Sequence, residues 1–330
     1  MKTYLWLALL VLLAACGGKD QDAATLTGDS AIDAVTQLIL EEPDQADLYA
    51  QRAQLYYEKN SYDQAIGDMT KALTMDSMNL PYHHFLADIY LDYFRSRLAL
   101  QTMERAAAIA PENIPTLLKL SELQLYLKMN QASLSTIDKI LKLSPQEPGA
   151  YFFMSKNFEE MGDTSRAINA MQEAVELNPE MVDGWIKLGQ LHAGINGSLA
   201  LDFFDNAIEV DSQSTNALQA KAEYLWDQDD PQGALDLYRQ AIRLDPFGEE
   251  AYYNAGLVYL ELDSLQQAYQ HFNLAIENSP LYVGAYYFRG YSAEAMGELE
   301  QARQDYEHAL RLSPDFADAQ EALNRLQDLQ

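Results

Sequence analysis

Cysteine is almost absent, since Cys16 is the only one in 330 residues. A disulfide framework within one chain and a thiolate metal cluster are thereby excluded. Cations are also scarce: 22 Lys and Arg stand against 50 Asp and Glu, a formal charge of −28. Such a surface repels polyanions, which makes nucleic acid or an anionic membrane face a poor main partner. The apolar run Tyr4 to Leu13 falls short of the about 20 residues that a bilayer-spanning helix needs. Five histidines, His83, His84, His192, His271 and His308, include no His-x3-His or His-Glu-x-x-His pair, so a helical zinc site lacks its ligands. A glycine-rich phosphate loop and a Gly-x-Ser-x-Gly elbow are missing too. Carboxylates are so abundant that a chance pair proves nothing. No catalytic residue, metal or cofactor is expected. Asp227-Gln228-Asp229-Asp230 has the carboxylate density of a calcium loop, but Pro231 follows it directly and favours an acidic turn between helices. What is present is a hydrophobic content of 48%, which excludes wholesale disorder.

The N-terminus is a short basic start, an apolar run and then Leu13-Ala14-Ala15-Cys16, the pattern of an export signal. Leu-Ala-Ala-Cys resembles the lipobox of bacterial lipoproteins. That resemblance implies cleavage after residue 15 and lipidation of Cys16 with several acyl chains, palmitate among them. More than one chain gives stable anchoring, at about 0.8 kcal/mol per buried methylene. The other reading is an ordinary signal followed by a free thiol. Gly17, rather than aspartate, follows the cysteine, which by resemblance to enterobacterial sorting implies the outer membrane. Lys19-Asp20-Gln21-Asp22 resembles the basic-acidic tag of surface-exposed lipoproteins in the Bacteroidetes, with a plain soluble tether as the alternative. Residues 16–30 are polar and glycine-rich and read as a flexible tether.

From there a pattern Ala-Leu/Ile-x-Leu-x-Pro recurs, as in 241–246 and 309–314, 68 residues apart or twice 34. A 34-residue period resembles the tetratricopeptide repeat. In that frame eight units cover 46–316, the fifth one residue short. A capping helix is expected at 31–45, with Ala31, Val35 and Leu38 in its apolar columns. Another is expected at 317–330, with a stripe of Ala319, Ala322, Leu323, Leu326 and Leu329. The resemblance implies an all-α right-handed superhelical solenoid of helical hairpins. Its columns make physical sense. Position 8 holds only Ala, Ser or Gly, and position 20 only Ala or Ser. Position 24 is always large: Met69, Met103, Ile137, Met171, Phe204, Tyr238, Phe272 and Tyr306. Small columns facing large ones let helices interlock at close distance. All eleven prolines fall at junctions, where a helix tolerates them. Three departures stand out: Gln124 where an aromatic is usual, the irregular turn 193–198 of the fifth unit, and Tyr93-Phe94-Arg95-Ser96-Arg97, which lacks a turn residue.

By the same resemblance, first-helix positions 2, 5, 9, 12 and 13 line a concave partner groove. They supply Tyr57, His84, Asp88, Glu122, Tyr126, Phe152, Glu159, Glu223, Trp226, Asp227, Tyr253, Glu261, Tyr287 and Tyr291. The Lys and Asn of a two-carboxylate clamp occur in no unit, so a ligand held by its terminal carboxylate is not expected. Aromatics mixed with carboxylates suit a protein or peptide carrying Lys or Arg beside apolar residues. The competing reading is a solvated acidic face with aromatics engaged in packing. The function implied is a lipid-anchored, non-catalytic protein–protein interaction adaptor or scaffold of a bacterial envelope, touching the membrane only through its lipid. The alternative is a stoichiometric subunit of an envelope assembly or secretion machine.

Overall fold

A computed structural model describes residues 27–195 and 197–328. The signal segment, Cys16, most of the tether, Asn196 and Leu329 lie outside the described residues. Among the described residues there are eighteen α-helices and no strand. They are α1 (Ser30–Glu41), α2 (Ala46–Glu58), α3 (Tyr62–Met75), α4 (Leu80–Asp92), α5 (Ser96–Ile109), α6 (Ile114–Tyr126), α7 (Asn130–Leu143), α8 (Pro148–Glu160) and α9 (Thr164–Leu177). There follow α10 (Val182–Ala193), α11 (Ala200–Val210), α12 (Thr215–Asp227), α13 (Pro231–Leu244), α14 (Glu249–Glu261), α15 (Leu265–Asn278), α16 (Val283–Ala295), α17 (Leu299–Leu312) and α18 (Ala317–Asp328). No helix among them is long and apolar enough to cross a membrane. The chain divides into two compact units, one ending at Leu123 and the other beginning at Gln124. Within each, the fold is the helical hairpin that the period implies, repeated.

The turns inside the hairpins show why the period is so regular. In seven units three residues separate the helices, and the middle one is left-handed: Asn60, Phe94, Lys128, Gly162, Asp229, Asp263 and Gly297. The N–H of the third turn residue then reaches back to the helix, as in Ser61 to the Tyr56 carbonyl at 2.9 Å and Arg95 to Tyr90 at 2.7 Å. This closure satisfies carbonyls that the helix end would otherwise leave unpaired. Phe94 (φ 56°) is the one bulky apolar residue so placed, at a cost of about 1–2 kcal/mol for a side chain with a Cβ. Tyr93-Phe94-Arg95 is thus a turn of the common shape, built without a turn-forming residue. The fifth unit differs. Its second helix starts only at Ala200, and six residues, 194–199, bridge the hairpin.

The packing columns are as the period predicts. Every position-24 side chain, from Met69 to Tyr306, is at most 1% exposed. The position-8 glycines leave room for them. A Cβ on Gly189 would stand 2.6 Å from the Phe204 ring, on Gly256 2.7 Å from Phe272, and on Gly290 2.9 Å from Tyr306. Backbone and ring can meet so closely only because the Cβ is missing. Gln124 is buried as well, and its side-chain oxygen accepts the Thr136 hydroxyl at 2.8 Å, so the polar replacement in the aromatic column is satisfied. Pro148 and Pro231 each open a helix. Asp230 caps α13 by accepting the Gly233 N–H at 2.9 Å.

The first helix corrects the expected register. Ile32, Thr36 and Ile39 are buried, whereas Ala31 and Leu38 are exposed. The reason is a polar anchor: Arg52 reaches the Thr36 hydroxyl at 3.1 Å and so draws that face of α1 inward. Asp29 caps α1 by accepting from the Ala31 and Ile32 N–H groups and pairs with Lys59 at 2.7 Å. At the other end, Ala319, Ala322 and Leu326 of α18 are buried against the last hairpin, while Asp318, Glu321, Asn324 and Arg325 face water. Arg325 grips Glu294 with two nitrogens at 2.8 Å.

Two polar devices escaped the sequence reading. An aromatic at position 4 donates to the carbonyl of the proline six residues earlier: Tyr49 to Pro43 at 3.1 Å, Tyr151 to Pro145 at 3.0 Å, Trp185 to Pro179 at 2.8 Å and Tyr286 to Pro280 at 3.3 Å. The junction prolines thus also serve as acceptors that join neighbouring units. The second device is a bidentate Arg–Asp pair at a spacing of sixteen residues. Arg52 holds Asp68, with both bonds at 2.7 Å, and Arg289 holds Asp305 at 2.9 and 2.5 Å. The third arm of Arg289 donates to Asn273 at 2.6 Å, as Arg52 does to Thr36. An Arg followed by Asp at this interval was the available signal.

Candidate functional site

In the compact unit that ends at Leu123, the expected groove residues are largely engaged by neighbouring side chains outside the expected set. The Tyr57 hydroxyl donates to Asp92, and its ring meets Phe85 edge-on at 5.5 Å. Asp88 takes the Lys119 ammonium at 2.6 Å. His84 Nε2 lies 2.9 Å from the Thr116 hydroxyl. That hydroxyl already donates to Asn113 at 2.7 Å, so the imidazole is the donor in this bond. Burial, and then the nearby Lys119, hold His84 below the ordinary histidine range. Glu122 is exposed, with no ion-pair partner among the described residues.

In the compact unit that begins at Gln124 the same sorting occurs. Glu159 is paired with Lys187 at 3.2 Å. The Lys156 ammonium lies 5.5 Å from the centroid of Phe152. Tyr253 is built into the packing between units, 4.7 Å from Tyr282 and 5.8 Å from Phe272 between ring centroids. Tyr287 is likewise walled in by Tyr306 at 5.7 Å and Phe316 at 5.1 Å. Tyr126 and Tyr291 are exposed.

One turn of α12 is different. Glu223 and Asp227 lie four residues apart on one face, both exposed, and neither has an ion-pair partner among the described residues. Trp226 stands beside them, half-buried, and its indole N–H donates to Glu261 of α14. The two free carboxylates are close enough to act on Tyr238. Burial pushes that phenol well above its usual range, and the two negative charges add to the effect. Glu223, Trp226 and Asp227 thus share one turn of α12, and Trp226 links it to Glu261 of α14.

The cations Lys119 and Lys187 are not apparent as partners of these acids from the sequence. They sit at position 6 of their units and neutralise acids 31 and 28 residues earlier. An open depression of about 260 Å³ lies elsewhere, lined by Tyr286, Arg289, Asp305, His308 and Arg311 among others. There the Tyr286 and His308 rings stack at 4.0 Å, and Arg311 bonds His308 Nδ1 at 2.9 Å. Among the described residues no group of His, Cys, Asp and Glu is placed to hold a metal ion.

The phenols provide a test of these contacts. The bond to Asp92, then burial, pushes Tyr57 up to about 12, while burial and Asp47 do the same for Tyr82. Burial also takes Tyr282 to about 12. Each folded value is raised above the unfolded value of about 10, so the proton stays on longer in the native state. The stability this represents is complete below pH ~10 and is lost as pH rises toward ~12. Near-ultraviolet titration should find at least these three phenols protonated at pH ~11 in the native protein and ionised once urea is added. Full ionisation of all 21 tyrosines at that pH without unfolding would contradict the contacts.

Comparison with known proteins agrees with this architecture. Family models described as tetratricopeptide repeat match residues 46–77, 154–209, 220–283 and 283–316, together more than half of the chain. No curated protein sequence matches. Among solved structures, a tetratricopeptide repeat protein from Parabacteroides merdae ATCC 43184 is 18% identical, covering 75% of this chain and 98% of that one, with a TM-score of 0.55. A chain of the APC/C hetero-tetramer Cut9–Hcn1 is 17% identical, covering 89% of this chain and 58% of that one, with a TM-score of 0.57. MamA protein is 24% identical over 52% of this chain and 93% of its own, with a TM-score of 0.44. With the period, the left-handed turns, the interlocking columns and the family matches in agreement, the chain belongs to the tetratricopeptide repeat family.

Proposed function

We propose that this protein is a non-catalytic interaction scaffold, lipid-anchored through Cys16 in a bacterial envelope, that holds a basic and apolar protein segment on the face of α12 and α14. The observation that carries this reading is the contrast between the acids. Asp88 and Glu159 are already neutralised from within, whereas Glu223 and Asp227 are exposed and free beside Trp226. A Lys or Arg of the partner meets two carboxylates one helical turn apart, and an apolar neighbour lies against the indole. The anchor rests on Leu13-Ala14-Ala15-Cys16 alone.

The test uses the purified chain and a synthetic peptide of alternating Lys and Leu. Glu223→Lys with Asp227→Lys should weaken peptide binding about tenfold or more, at about 1 kcal/mol or more per ion pair. Both positions are exposed, so thermal unfolding should change little. An unchanged affinity would sink the reading of this face. In cells, Cys16→Ala should move the protein out of the membrane fraction, and continued sedimentation with membranes would count against the anchor.

A further inference from the structure

The turn between α4 and α5 runs against the character of the rest of the chain. Phe94 is 91% exposed while held in the left-handed region, where the other hairpins place Asn, Asp, Lys or Gly. A strained backbone that presents a bare phenyl ring does nothing for the fold of its own unit. Its neighbours hold it firmly: Tyr93 stacks on Tyr62 at 5.2 Å, and the Arg95 guanidinium lies 4.3 Å from the Tyr93 ring. Asp63 accepts from the Tyr93 hydroxyl at 3.1 Å and from Arg95 at 3.2 Å. Arg97 follows, exposed and with no ion-pair partner among the described residues, and Leu98 beside it is 38% exposed. The turn is therefore a rigid apolar knob flanked by cations.

The charge distribution singles out the same region. Residues 93–142 contain seven of the 22 basic residues and only four of the 50 acidic ones, so they carry +3 in a chain of −28. A ring beside arginines is also the ligand chemistry inferred above for the face of α12 and α14. A second copy of this chain supplies both halves of that match.

We propose that the protein self-associates head to tail: the Phe94–Arg97 turn of one copy docks on the Glu223–Trp226–Asp227 face of another, with Phe94 against the indole and Arg97, the arginine that Asp63 does not hold, against the two free carboxylates. The contact is heterologous, because knob and receptor are different surfaces. Copies therefore add in one direction and form a ring or an open chain. The large like charge of two copies opposes association at a distance. Salt near 0.15 M screens that repulsion beyond about 8 Å while leaving a desolvated contact. This inference rests on the proposed binding role of the α12 face.

The experiment co-expresses full-length chains with two different tags and captures one through the other in 0.15 M salt, alongside the Lys–Leu peptide assay. Phe94→Asn places at position 94 the residue that Asn60 uses in the same conformation, so it should fold with a thermal midpoint no lower than that of the parent. Its self-capture should drop about tenfold or more, as for loss of a buried aromatic anchor. Glu223→Lys with Asp227→Lys should drop equally. A mixture of the two variants should regain capture, because one contributes an intact receptor and the other an intact knob. Peptide affinity should be untouched by Phe94→Asn. Absence of self-capture by the parent, normal self-capture by Phe94→Asn, or a mixture that fails to recover would each overturn the proposal. If peptide binding depends on Glu223 and Asp227 while copies do not pair, self-association alone fails. If peptide binding is also insensitive to them, the binding role of the face fails with it.

Discussion

Arg289→Met is expected to destabilise the compact unit that begins at Gln124 by about 3–5 kcal/mol, the cost of leaving a carboxylate buried without its partner. Asp305 is only 2% exposed, and both of its oxygens are taken by Arg289. Water cannot reach it when the guanidinium is gone, so the lost hydrogen bonds are not replaced. The same substitution frees Asn273, which accepts the third arm, and so loosens the join between α15 and α16. In an array of repeats each unit leans on its neighbours, so the effect should be local. Amide exchange should speed up in α15–α18 and stay slow in α8 and α9. The double variant Arg289→Met with Asp305→Leu should recover most of the loss, since a buried ion pair can be replaced by apolar residues of similar volume. A cost of about 1 kcal/mol or less for the single change, the value of an exposed pair, would show that water does enter.

Phe272→Ala should cost about 3–5 kcal/mol, the range for deleting a ring from a closed core. Phe272 has no exposed surface and stacks on Phe288 at 5.8 Å with Tyr253 against its edge. The informative comparison is with Gly256→Ala. An alanine there gains about 1 kcal/mol of helix propensity but puts its methyl 2.7 Å from the ring, an overpacking of about 1–3 kcal/mol. With the ring removed, the clash is removed as well. Gly256→Ala should therefore be stabilising in the Phe272→Ala background and neutral or destabilising in the parent. Urea unfolding of all four proteins gives the coupling directly. Additive effects would mean that the small and large columns do not interlock.

Of these two features, the amino-acid sequence displays one far more plainly than the other. Gly256 and Phe272 were legible because both obey a 34-residue period, and a column of small side chains sixteen positions ahead of a column of large ones has few explanations other than close packing. The Arg289–Asp305 pair obeys no such period. Among the described residues it occurs in the first and eighth repeats only, and the one mark of Asp305 among the acids of α17 is an Arg sixteen residues earlier, a spacing that carries meaning only once the helices are packed. The same holds for the candidate site. Glu122, Glu159, Glu223 and Asp227 look alike along the chain, yet Lys187 neutralises only Glu159.

The repeat, the positions of its turns and prolines, and the buried columns follow from the chain alone, because they depend on residue size and on backbone chemistry within one hairpin. The proposed anchor rests on the lone cysteine at the end of an apolar run and makes no use of the fold. Tertiary structure alone decided which charges are spent. Partners such as Lys119 and Asp88, or Trp226 and Glu261, lie about one unit apart in the chain and meet only when neighbouring helices pack. It decided the face of α1, where Thr36 turns inward to Arg52 and carries Ile32 and Ile39 with it. It also made Phe94 conspicuous, since closing the hairpin in three residues forces its left-handed backbone and leaves the ring in water.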